Sequence, residues 1–419
     1  MTFRRFLLAS TLSFALPLSA QFTKDPMVIG WVDQGPRTLG AVHVQSLTTS
    51  CPKAQFFTSA LNGGVVFTAG GTAYDPVTQS VWITNGTEVQ QIRLSDKKVL
   101  CKFKAMLMDS KAVVSGLAVG RGGTRLIQLE TRAGYAGLRS YSLRSCPPIP
   151  LRDGCKLSFL GRSEYAAGLA YDPVRDLVLY TVTKPFGTIS INTLYVAKDS
   201  ARCKPICKQP LPFCGPPLLG TDVLGLAYDA CQGKLYATFG GKTGVYHMPD
   251  PSKCVLKLSH CCNKGFGLWF KGLAVVPGWR QFPFGGGCVG KGCPFCNKIR
   301  LRLTGGDPFP GNPRFGITIE FAPVRSYGLL LLAPGRCTKG VGYPFLCGAI
   351  FPVMGPTTLV IPYGFLQGKG QCLASGTMPL PIPKDPKLCG LTLCSQALAI
   401  CGIGSGIGLT QGIEFTTTK

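Results

Sequence analysis

A short phrase with a strand-like core returns five times along this chain. It reads GTAYDP from Gly71, GLAVGR from Gly116, GLAYDP from Gly168, GLAYDA from Gly225 and GLAVVP from Gly272, at intervals of 45, 52, 57 and 47 residues. Repeats of roughly 40–50 residues that hold several short strands are typical of β-propellers, in which each repeat forms one blade. We therefore expect an all-β chain whose inner strands begin near these five glycines and surround one axis.

The number of blades depends on how the ring closes. The last phrase is followed by Pro277-Gly278 and a glycine-rich stretch rather than by further strands. Strand-like segments at 27–32, 41–45 and 65–68 are available to complete that last blade. Four full blades and one composite blade give a five-bladed propeller. A six-bladed propeller results instead if residues 25–70 form a blade of their own.

Further segments complete the predicted domain organisation. Residues 1–20 contain the charged, apolar and small-residue regions of a signal peptide. The propeller is predicted over 21–280, and a linker rich in glycine and cysteine over 281–297. Beyond it, apolar residues alternate with polar ones, as in the run from Ile299 to Leu303. This period of two predicts half-buried strands and a C-terminal β-sandwich over 298–419.

The cysteine content predicts a secreted protein, outside the cell or at its surface. The chain has 20 cysteines, and thiols at this density persist as disulfides only outside the reducing cytosol. The count is even, so full pairing is allowed. Past the signal peptide, no run of about 18 apolar residues predicts a membrane span.

The cysteines recur with the repeat, which leads us to expect local disulfides in the loops that cross between blades. The expected pairs are Cys146 with Cys155, Cys203 or Cys207 with Cys214, Cys254 with Cys261 or Cys262, Cys337 with Cys347 in the sandwich, and Cys293 with Cys296 in the linker. For the last pair, a zinc knuckle that includes Cys288 and redox catalysis by the two thiols are the alternatives.

The charge balance is strongly basic. Lysine and arginine number 44 against 19 acidic residues, a net charge of +25, which becomes +23 when Arg4 and Arg5 leave with the signal peptide. Such a field favours anionic partners, and we expect an acidic polysaccharide or another acidic polymer. The alternative is that the basic residues are scattered and have no common partner.

Few side chains point to catalysis. The chain has three histidines, and no catalytic residue, metal ion or cofactor is predicted. Asp75, Asp172 and Asp229 recur after inner strands, where an aspartate at a turn hydrogen-bonds its own backbone. We assign all three to turns rather than to a ring of catalytic carboxylates.

A second set of polar residues lies just before inner strands, where the chain reaches one mouth of the channel. These residues form the predicted ligand-binding cluster, and they are Arg162, Glu164, Asp222 and Lys271. The two carboxylates in this set are also the candidates for a glycosidase pair. Solvated loop positions are the alternative for all four.

Two segments resemble known families. The tail from Ser375 to Lys419, with its PLPIP, GLTL and GIEFT strands, resembles the C-terminal sandwich module of secreted proteins from planctomycete-type bacteria. The GLAYDP…LYxT repeat resembles secreted propellers of the NHL and lactonase-like kind. The resemblance implies an exported modular protein and no particular activity.

Three functions remain open at this stage. The leading hypothesis is a non-enzymatic binding or surface-matrix protein whose propeller meets anionic polymers or proteins, while its C-terminal module docks at the cell surface. The first alternative is an extracellular glycan hydrolase or lyase that uses the channel mouth. The second is a structural subunit of a matrix or filament that associates with itself.

Overall fold

The computed structural model describes residues 70–417 except 187–188, 215–221, 240–241, 263–269, 277, 290–295, 297–298, 343–345 and 402–405. It also gives the backbone of four strands between 22 and 62. For residues 262, 270–271, 279–280 and 289, the description covers the backbone only. The predicted signal peptide, 1–20, lies outside the described residues.

All regular structure in the described residues is β, apart from three short 3-10 turns. None of the helical segments described is long and apolar enough to cross a membrane. The strands of the first part are β1 (Phe22–Lys24), β2 (Met27–Val32), β3 (Leu39–Ser46), β4 (Gln55–Asn62), β5 (Gly71–Asp75), β6 (Ser80–Thr84), β7 (Glu88–Arg93), β8 (Val99–Lys104), β9 (Val113–Gly120), β10 (Arg125–Arg132), β11 (Tyr135–Ser142), β12 (Ile149–Pro150), β13 (Cys155–Lys156), β14 (Tyr165–Asp172), β15 (Leu177–Phe186), β16 (Ile189–Lys198), β17 (Pro205–Pro210), β18 (Val223–Asp229), β19 (Lys234–Phe239), β20 (Lys242–His247), β21 (Lys257–Cys262) and β22 (Phe270–Val276). The remaining strands are β23 (Trp279–Phe284), β24 (Cys288–Val289), β25 (Arg300–Thr304), β26 (Gly316–Ala322), β27 (Tyr327–Pro334), β28 (Val341–Gly342), β29 (Ala349–Ile350), β30 (Leu359–Phe365), β31 (Ala374–Pro379), β32 (Thr392–Ile400), β33 (Ile407–Leu409) and β34 (Gly412–Thr416), and the 3-10 turns are Asp199–Ala201, Pro251–Lys253 and Pro386–Leu388.

The first part of the chain forms five antiparallel sheets. Four of them follow the chain in order, as β5–β8, β9–β13, β14–β17 and β18–β21. The fifth is composite, because β22 pairs with β2, which continues to β3 and β4. Its inner strand therefore comes from the last repeat and its outer strands from the N-terminal region.

The five glycines of the repeated phrase meet at the centre of these sheets. A β-carbon placed on Gly71 would lie 2.8 Å from the carbonyl carbon of Gly116, and one on Gly225 would lie 2.8 Å from that of Gly272. A β-carbon on Gly272 would lie 2.6 Å from the carbonyl carbon of Gly71, which completes the ring. Gly168 lies between Gly116 and Gly225. Side chains do not fit at such distances, so glycine is required at the centre. The predicted arrangement of the inner strands around one axis is confirmed, and it is that of a β-propeller.

The rest of the chain forms a C-terminal unit, which comprises β23–β34 together with β1. An eight-stranded sheet has the order β1-β23-β34-β32-β27-β30, with β24 and β33 beside it. A three-stranded sheet, β25-β26-β31, shares a core with it that includes Phe315, Ile317, Ile413 and Phe415. Strands β1 and β23 begin within the range predicted as propeller, and β23 continues into the range predicted as linker.

Four disulfides in the propeller join neighbouring sheets. They are Cys101–Cys146, Cys155–Cys203, Cys207–Cys254 and Cys214–Cys261, with sequence separations of 45, 48, 47 and 47 residues. Each separation is close to one repeat, because cysteines at similar places in successive repeats face each other where the sheets stack. The other described disulfides are Cys231–Cys389, Cys288–Cys347, Cys296–Cys372 and Cys337–Cys394.

The predicted local pairings were wrong. Cys146 and Cys155 bond to different sheets rather than to each other, and Cys337 bonds to Cys394 rather than to Cys347. In the propeller, the partner of each described cysteine of these pairs lies on the neighbouring sheet, because successive sheets stack against each other. The corrected cysteines of the propeller are Cys146, Cys155, Cys203, Cys207, Cys214, Cys254 and Cys261, while Cys293 and the Cys262 side chain lie outside the described residues.

The zinc-knuckle alternative was also wrong. Cys288 and Cys296 are bonded to Cys347 and Cys372, so neither sulfur is a free thiolate that could hold zinc. Within the described residues, no group of three His, Cys, Asp or Glu side chains could hold a metal ion.

The C-terminal unit covers the end of the propeller where the Asp-Pro turns lie. Asp307 accepts hydrogen bonds from the Tyr74 hydroxyl at 2.5 Å and from Gln79 Nε2 at 2.7 Å, and its backbone N–H donates to Pro76 O at 2.8 Å. The disulfide Cys231–Cys389 joins the two parts covalently. The C-terminal unit therefore contacts the propeller at the end where the inner strands finish.

Candidate ligand-binding sites

The central channel is too narrow for a ligand. Its cavity of about 80 Å³ is lined by alternating small and large residues of the inner strands, among them Ala73, Tyr74, Ala170, Tyr171 and Ala227. Ligand pockets usually measure about 300–1,000 Å³. Burial, followed by the charge of Asp307, raises the pKa of Tyr74 well above its ordinary value. Water-sized molecules fit this channel, and sugar rings do not.

The repeated aspartates serve the turns, as predicted. Oδ1 of Asp75, Asp172 and Asp229 accepts a hydrogen bond from the backbone N–H two residues on, at 3.0, 2.9 and 3.0 Å. Burial raises the pKa of all three carboxyl groups, and that of Asp229 reaches about 6. These carboxylates point into their own loops, so they do not form a catalytic ring.

The predicted channel-mouth cluster has mostly local contacts. Glu164 accepts from the backbone N–H of Gly161 at 2.9 Å. Asp222 accepts from the Ser190 hydroxyl and from the Tyr165 hydroxyl, which places it at the start of β18 against the neighbouring sheet. The side chain of Arg162 is exposed, whereas that of Lys271 lies outside the described residues. The two carboxylates are thus occupied by different partners, and a shared ligand for the four residues stays a prediction.

A cleft of about 490 Å³ lies between the propeller and the C-terminal unit. We call it the interunit cleft, and it is lined by Arg121, Arg175, Asp176, Lys198, Asp199, Ser200, Gly311, Pro313 and Lys384. Its walls come from the turns of the second and third sheets and from two C-terminal loops. Four basic and two acidic side chains therefore surround a space large enough for a small ligand.

Both acidic side chains of the interunit cleft form ion pairs. Arg121 Nε donates to Asp199 Oδ2 at 3.1 Å, and Lys384 Nζ pairs with Asp176 across the two parts of the molecule. Burial disfavours ionisation of Asp176, but hydrogen bonds from Lys384 and Tyr171 outweigh it and hold its pKa below the ordinary value. The acidic side chains of the cleft therefore act as fixed acceptors.

A second basic surface follows the circumference of the propeller. Strands β8, β13, β17 and β21 are the outermost strands of four sheets, and none contains an aspartate or a glutamate. Each carries an exposed lysine, and these are Lys102, Lys156, Lys208 and Lys257. We call these four strands and their lysines the outer rim. The outermost strand of the fifth sheet, β4, contains no basic residue.

The rim lysines differ in their neighbours. Lys102 Nζ lies 3.3 Å from Glu88 Oε2, and Lys156 Nζ lies 5.6 Å from the centre of the Tyr135 ring. Lys208 and Lys257 form no ion pair with the described side chains. Exposed aliphatic side chains accompany the lysines along or beside the outermost strands, namely Val99, Ile149, Ile206 and Val255, which are 41–65% exposed. The rim therefore repeats a basic and apolar pattern from sheet to sheet.

Both surfaces have a signal in the sequence besides the repeated phrase itself. In the second phrase, GLAVGR, Gly120-Arg121 stands where the third has Asp172-Pro173, and this departure puts an arginine into the interunit cleft. On the rim, a lysine directly follows a cysteine at 101–102, 155–156 and 207–208. Strand order was needed to show that these pairs lie on outermost strands.

Neither a known protein family nor a curated protein matches the sequence. Among solved structures, hydrazine synthase of Kuenenia stuttgartiensis is 10% identical, with 56% of this chain and 83% of that chain covered and a TM-score of 0.36. The Cps50 (Swd1) β-propeller domain of Myceliophteria thermophila is 9% identical, with 91% and 95% covered and a TM-score of 0.34. A chain of the Mitotic Checkpoint Complex is 9% identical, with 88% and 96% covered and a TM-score of 0.32. We draw no function from likenesses at this level, and the predicted resemblances stay predictions.

Proposed function

We propose that this chain is a non-enzymatic binding protein of the cell exterior that holds acidic polysaccharide on the outer rim. In this proposal the five sheets are the blades of a five-bladed propeller, and the C-terminal unit is a β-sandwich that docks it at the cell surface. The observation that carries the proposal is the exposed lysine on the outermost strand of each of four sheets, with no acidic residue on those strands.

The electrostatics of the rim suit a long anionic chain better than a compact ligand. The lysines are 54, 52 and 49 residues apart in sequence and lie on successive sheets, so a polymer would meet one cation on each of four blades. Each exposed contact is weak, but several on one polymer add their effects through high effective concentration. Disulfides between neighbouring sheets hold the spacing of the cations.

The many disulfides are compatible with an extracellular location. Export by the predicted signal peptide and the planctomycete-type and NHL-like resemblances belong to the same proposal. The apolar side chains beside the lysines favour a saccharide over a simple ion, because sugar rings offer C–H faces as well as charged groups. Nucleic acid is also a polyanion, and comparing retention on DNA with retention on polygalacturonate distinguishes the two polymers.

The glycan hydrolase or lyase alternative has less support. A glycosidase needs two carboxyl groups that face one glycosidic bond. Glu164 is bound to the N–H of its own loop, and Asp222 is bound to two hydroxyl groups of the neighbouring sheet. Cleavage of a glycan that is abolished by Glu164→Ala or Asp222→Ala would restore this alternative.

One observation favours the self-association alternative as a second candidate function. Strand β30 is an edge of the eight-stranded sheet, and Leu359, Val360 and Phe365 on it are more than half exposed. Apolar edge strands are liable to pair with another chain. If this edge joins two copies, the wild type should sediment as an assembly, and the Phe365→Glu variant should sediment as one chain. A wild type that sediments as one chain at every concentration contradicts this candidate.

The proposed function is tested on immobilised polyanions in rising salt. A variant with Lys156→Ala, Lys208→Ala and Lys257→Ala loses three rim charges. The matched control, Lys111→Ala, Lys369→Ala and Lys387→Ala, loses three exposed charges elsewhere. We expect only the rim variant to elute from a polygalacturonate column at clearly lower salt, because fewer counterions are released. Equal elution of both variants, or retention on DNA but not on polygalacturonate, overturns the proposal.

A further inference from the structure

The interunit cleft contains cationic groups that the protein itself does not saturate. Arg121 donates only its Nε to a side chain of the described residues, so both terminal nitrogens of its guanidinium group remain available. Its side chain is 49% exposed. Lys198 is exposed and forms no ion pair with the described side chains. A planar guanidinium with a neighbouring ammonium group is well suited to a carboxylate or another oxyanion.

The same cleft also offers acceptors. Asp199 is 2% exposed, and its Oδ2 accepts from Arg121 and from Arg125, at 3.1 and 3.4 Å. Its Oδ1 accepts no hydrogen bond in the described residues, although Arg202 Nη2 lies 3.6 Å away. Because Asp199 is buried, it orients Arg121 rather than meeting a ligand, whereas Asp176 has a side chain that is 43% exposed and accepts from the Tyr171 hydroxyl at 2.6 Å. A carboxylate has about four lone-pair sites, so Asp176 can accept a further hydrogen bond from a ligand. Simple anions such as sulfate bring charge but no donor, whereas a hydroxylated acid brings both.

The walls of the cleft are held in place before any ligand arrives. Gly311 and Pro313 belong to the loop that docks on the propeller, where a β-carbon on Gly122 would lie 2.3 Å from Pro313 Cδ. The Lys384–Asp176 pair and the Cys231–Cys389 disulfide tie the same two parts together. Such preorganisation lowers the entropic cost of binding.

We propose that the interunit cleft binds an acidic sugar unit, with its carboxylate on Arg121 and Lys198 and a hydroxyl group donating to Asp176. The choice of a sugar acid rests on the proposed function, in which the polymer on the rim is an acidic polysaccharide. A volume of about 490 Å³ accommodates a short stretch of such a chain. The cleft then recognises one sugar unit, and the rim supplies the retention of the long polymer.

The test uses the full-length protein and trigalacturonate, a soluble oligomer too short to span several blades. Its binding is measured by calorimetry beside maltotriose, which lacks the acid, and beside inorganic sulfate. Trigalacturonate should bind, while maltotriose and sulfate should bind at least about tenfold more weakly. Sulfate binding as tight as that of trigalacturonate overturns the assignment of a sugar.

Variants place the site. Lys198→Ala and Arg121→Gln should each weaken trigalacturonate binding at least about tenfold, and Lys198→Arg should restore most of it. Lys204→Ala is the matched control, because Lys204 is exposed on the same connection but does not line the cleft. If Arg121→Gln does not fold, Lys198→Ala alone tests the site, because Lys198 is exposed and its removal should not affect folding. Unchanged binding in Lys198→Ala overturns the inference.

The two proposals fail in different ways. The rim variant should lose retention on polygalacturonate but keep trigalacturonate binding, and Lys198→Ala should do the reverse. Polymer retention without any binding of the oligomer overturns the cleft inference alone. Oligomer binding without rim-dependent retention overturns the proposed function and leaves the cleft as the site of an acidic sugar.

Discussion

One residue type at one turn position meets three environments in this propeller. Asp75 Oδ2 accepts from the Thr78 hydroxyl at 2.7 Å, and Asp172 Oδ2 accepts from Arg175 at 3.0 Å. Asp229 Oδ2 has no hydrogen-bond partner among the described residues. Burial without such a partner makes the charged form of Asp229 unfavourable, which raises its pKa from the ordinary 3.8 to about 6. Asp229 thus accepts the backbone hydrogen bonds of its turn, but its ionised carboxylate is buried.

Asp229→Asn should therefore stabilise the protein at neutral pH. The folded state takes up the proton of Asp229 more readily than the unfolded state, so wild-type stability falls as pH rises from about 4 to above 6. The asparagine variant lacks this loss, and its gain at pH 7.5 should reach at most roughly 3 kcal/mol. Chemical denaturation at pH 3.5 and at pH 7.5 measures it. A gain of equal size at both pH values contradicts the prediction.

At the scale of the elements, the inner strands are positioned by their glycines and the outer strands by disulfides. The centre excludes side chains, since a β-carbon on Gly116 would lie 2.7 Å from Leu169 Cβ. At the circumference, Cys101, Cys155 and Cys207 each bond to the next sheet. Steric fit and covalent bonds thus act at opposite edges of the same sheets.

Gly225→Ala tests the centre. The new methyl group would lie 2.8 Å from the backbone of Gly272 and from Thr238 Oγ1, so two inner strands would have to separate. We expect a loss of about 1–3 kcal/mol or more in the free energy of unfolding. Gly342→Ala in strand β28 is the control, because no atom lies within 4 Å of its added β-carbon. Equal unfolding curves for the two variants would show that the centre is not tightly packed.

The circumference is tested by removing one disulfide. Cys155→Ser with Cys203→Ser should lower the free energy of unfolding by about 2–4 kcal/mol, because a loop of 48 residues is freed in the unfolded chain. Non-reducing peptide mapping of the wild type should recover a peptide that joins Cys155 to Cys203. Recovery of Cys155 joined to Cys146 would refute the connection between sheets.

The repeat in the sequence was sufficient to predict the inner strands and the roles of the turn aspartates, because both depend on residues close in sequence. The disulfide partners depend on how sheets stack, which local spacing does not express. The sequence does hold one indication of these partners, because the bonded cysteines are about one repeat apart. The interunit cleft was out of reach for the same reason, since Arg121 and Lys384 meet only after the two parts dock.

For the whole molecule, the main feature is a propeller whose turn end is covered by the C-terminal unit. Strand β1 comes from the N-terminal region, yet it pairs with β23, which pairs with β34 near the C-terminus. A boundary placed by composition alone cannot anticipate such pairing. The two parts are connected by polar contacts at Asp307 and by a disulfide.

We expect Cys231→Ser with Cys389→Ser to weaken this connection without abolishing it. The freed loop spans 158 residues, so the loss should be about 4–5 kcal/mol in the loop-entropy treatment. Calorimetry should then resolve two melting transitions in place of one, while the hydrogen bonds of Asp307 keep the parts together at low temperature. A melting profile identical to that of the wild type would contradict the prediction.

The composite fifth sheet also has a consequence for biosynthesis. Met27 in β2 is paired with Val276 in β22, so the strands made early wait for an inner partner made much later. At a synthesis rate of roughly 5–20 residues per second, that wait lasts on the order of 10–50 s. Over this time the four sequential sheets can form while β2, β3 and β4 remain without their neighbour. Ring closure is then the last step in forming these five sheets, and non-local contacts of this kind are slow to form.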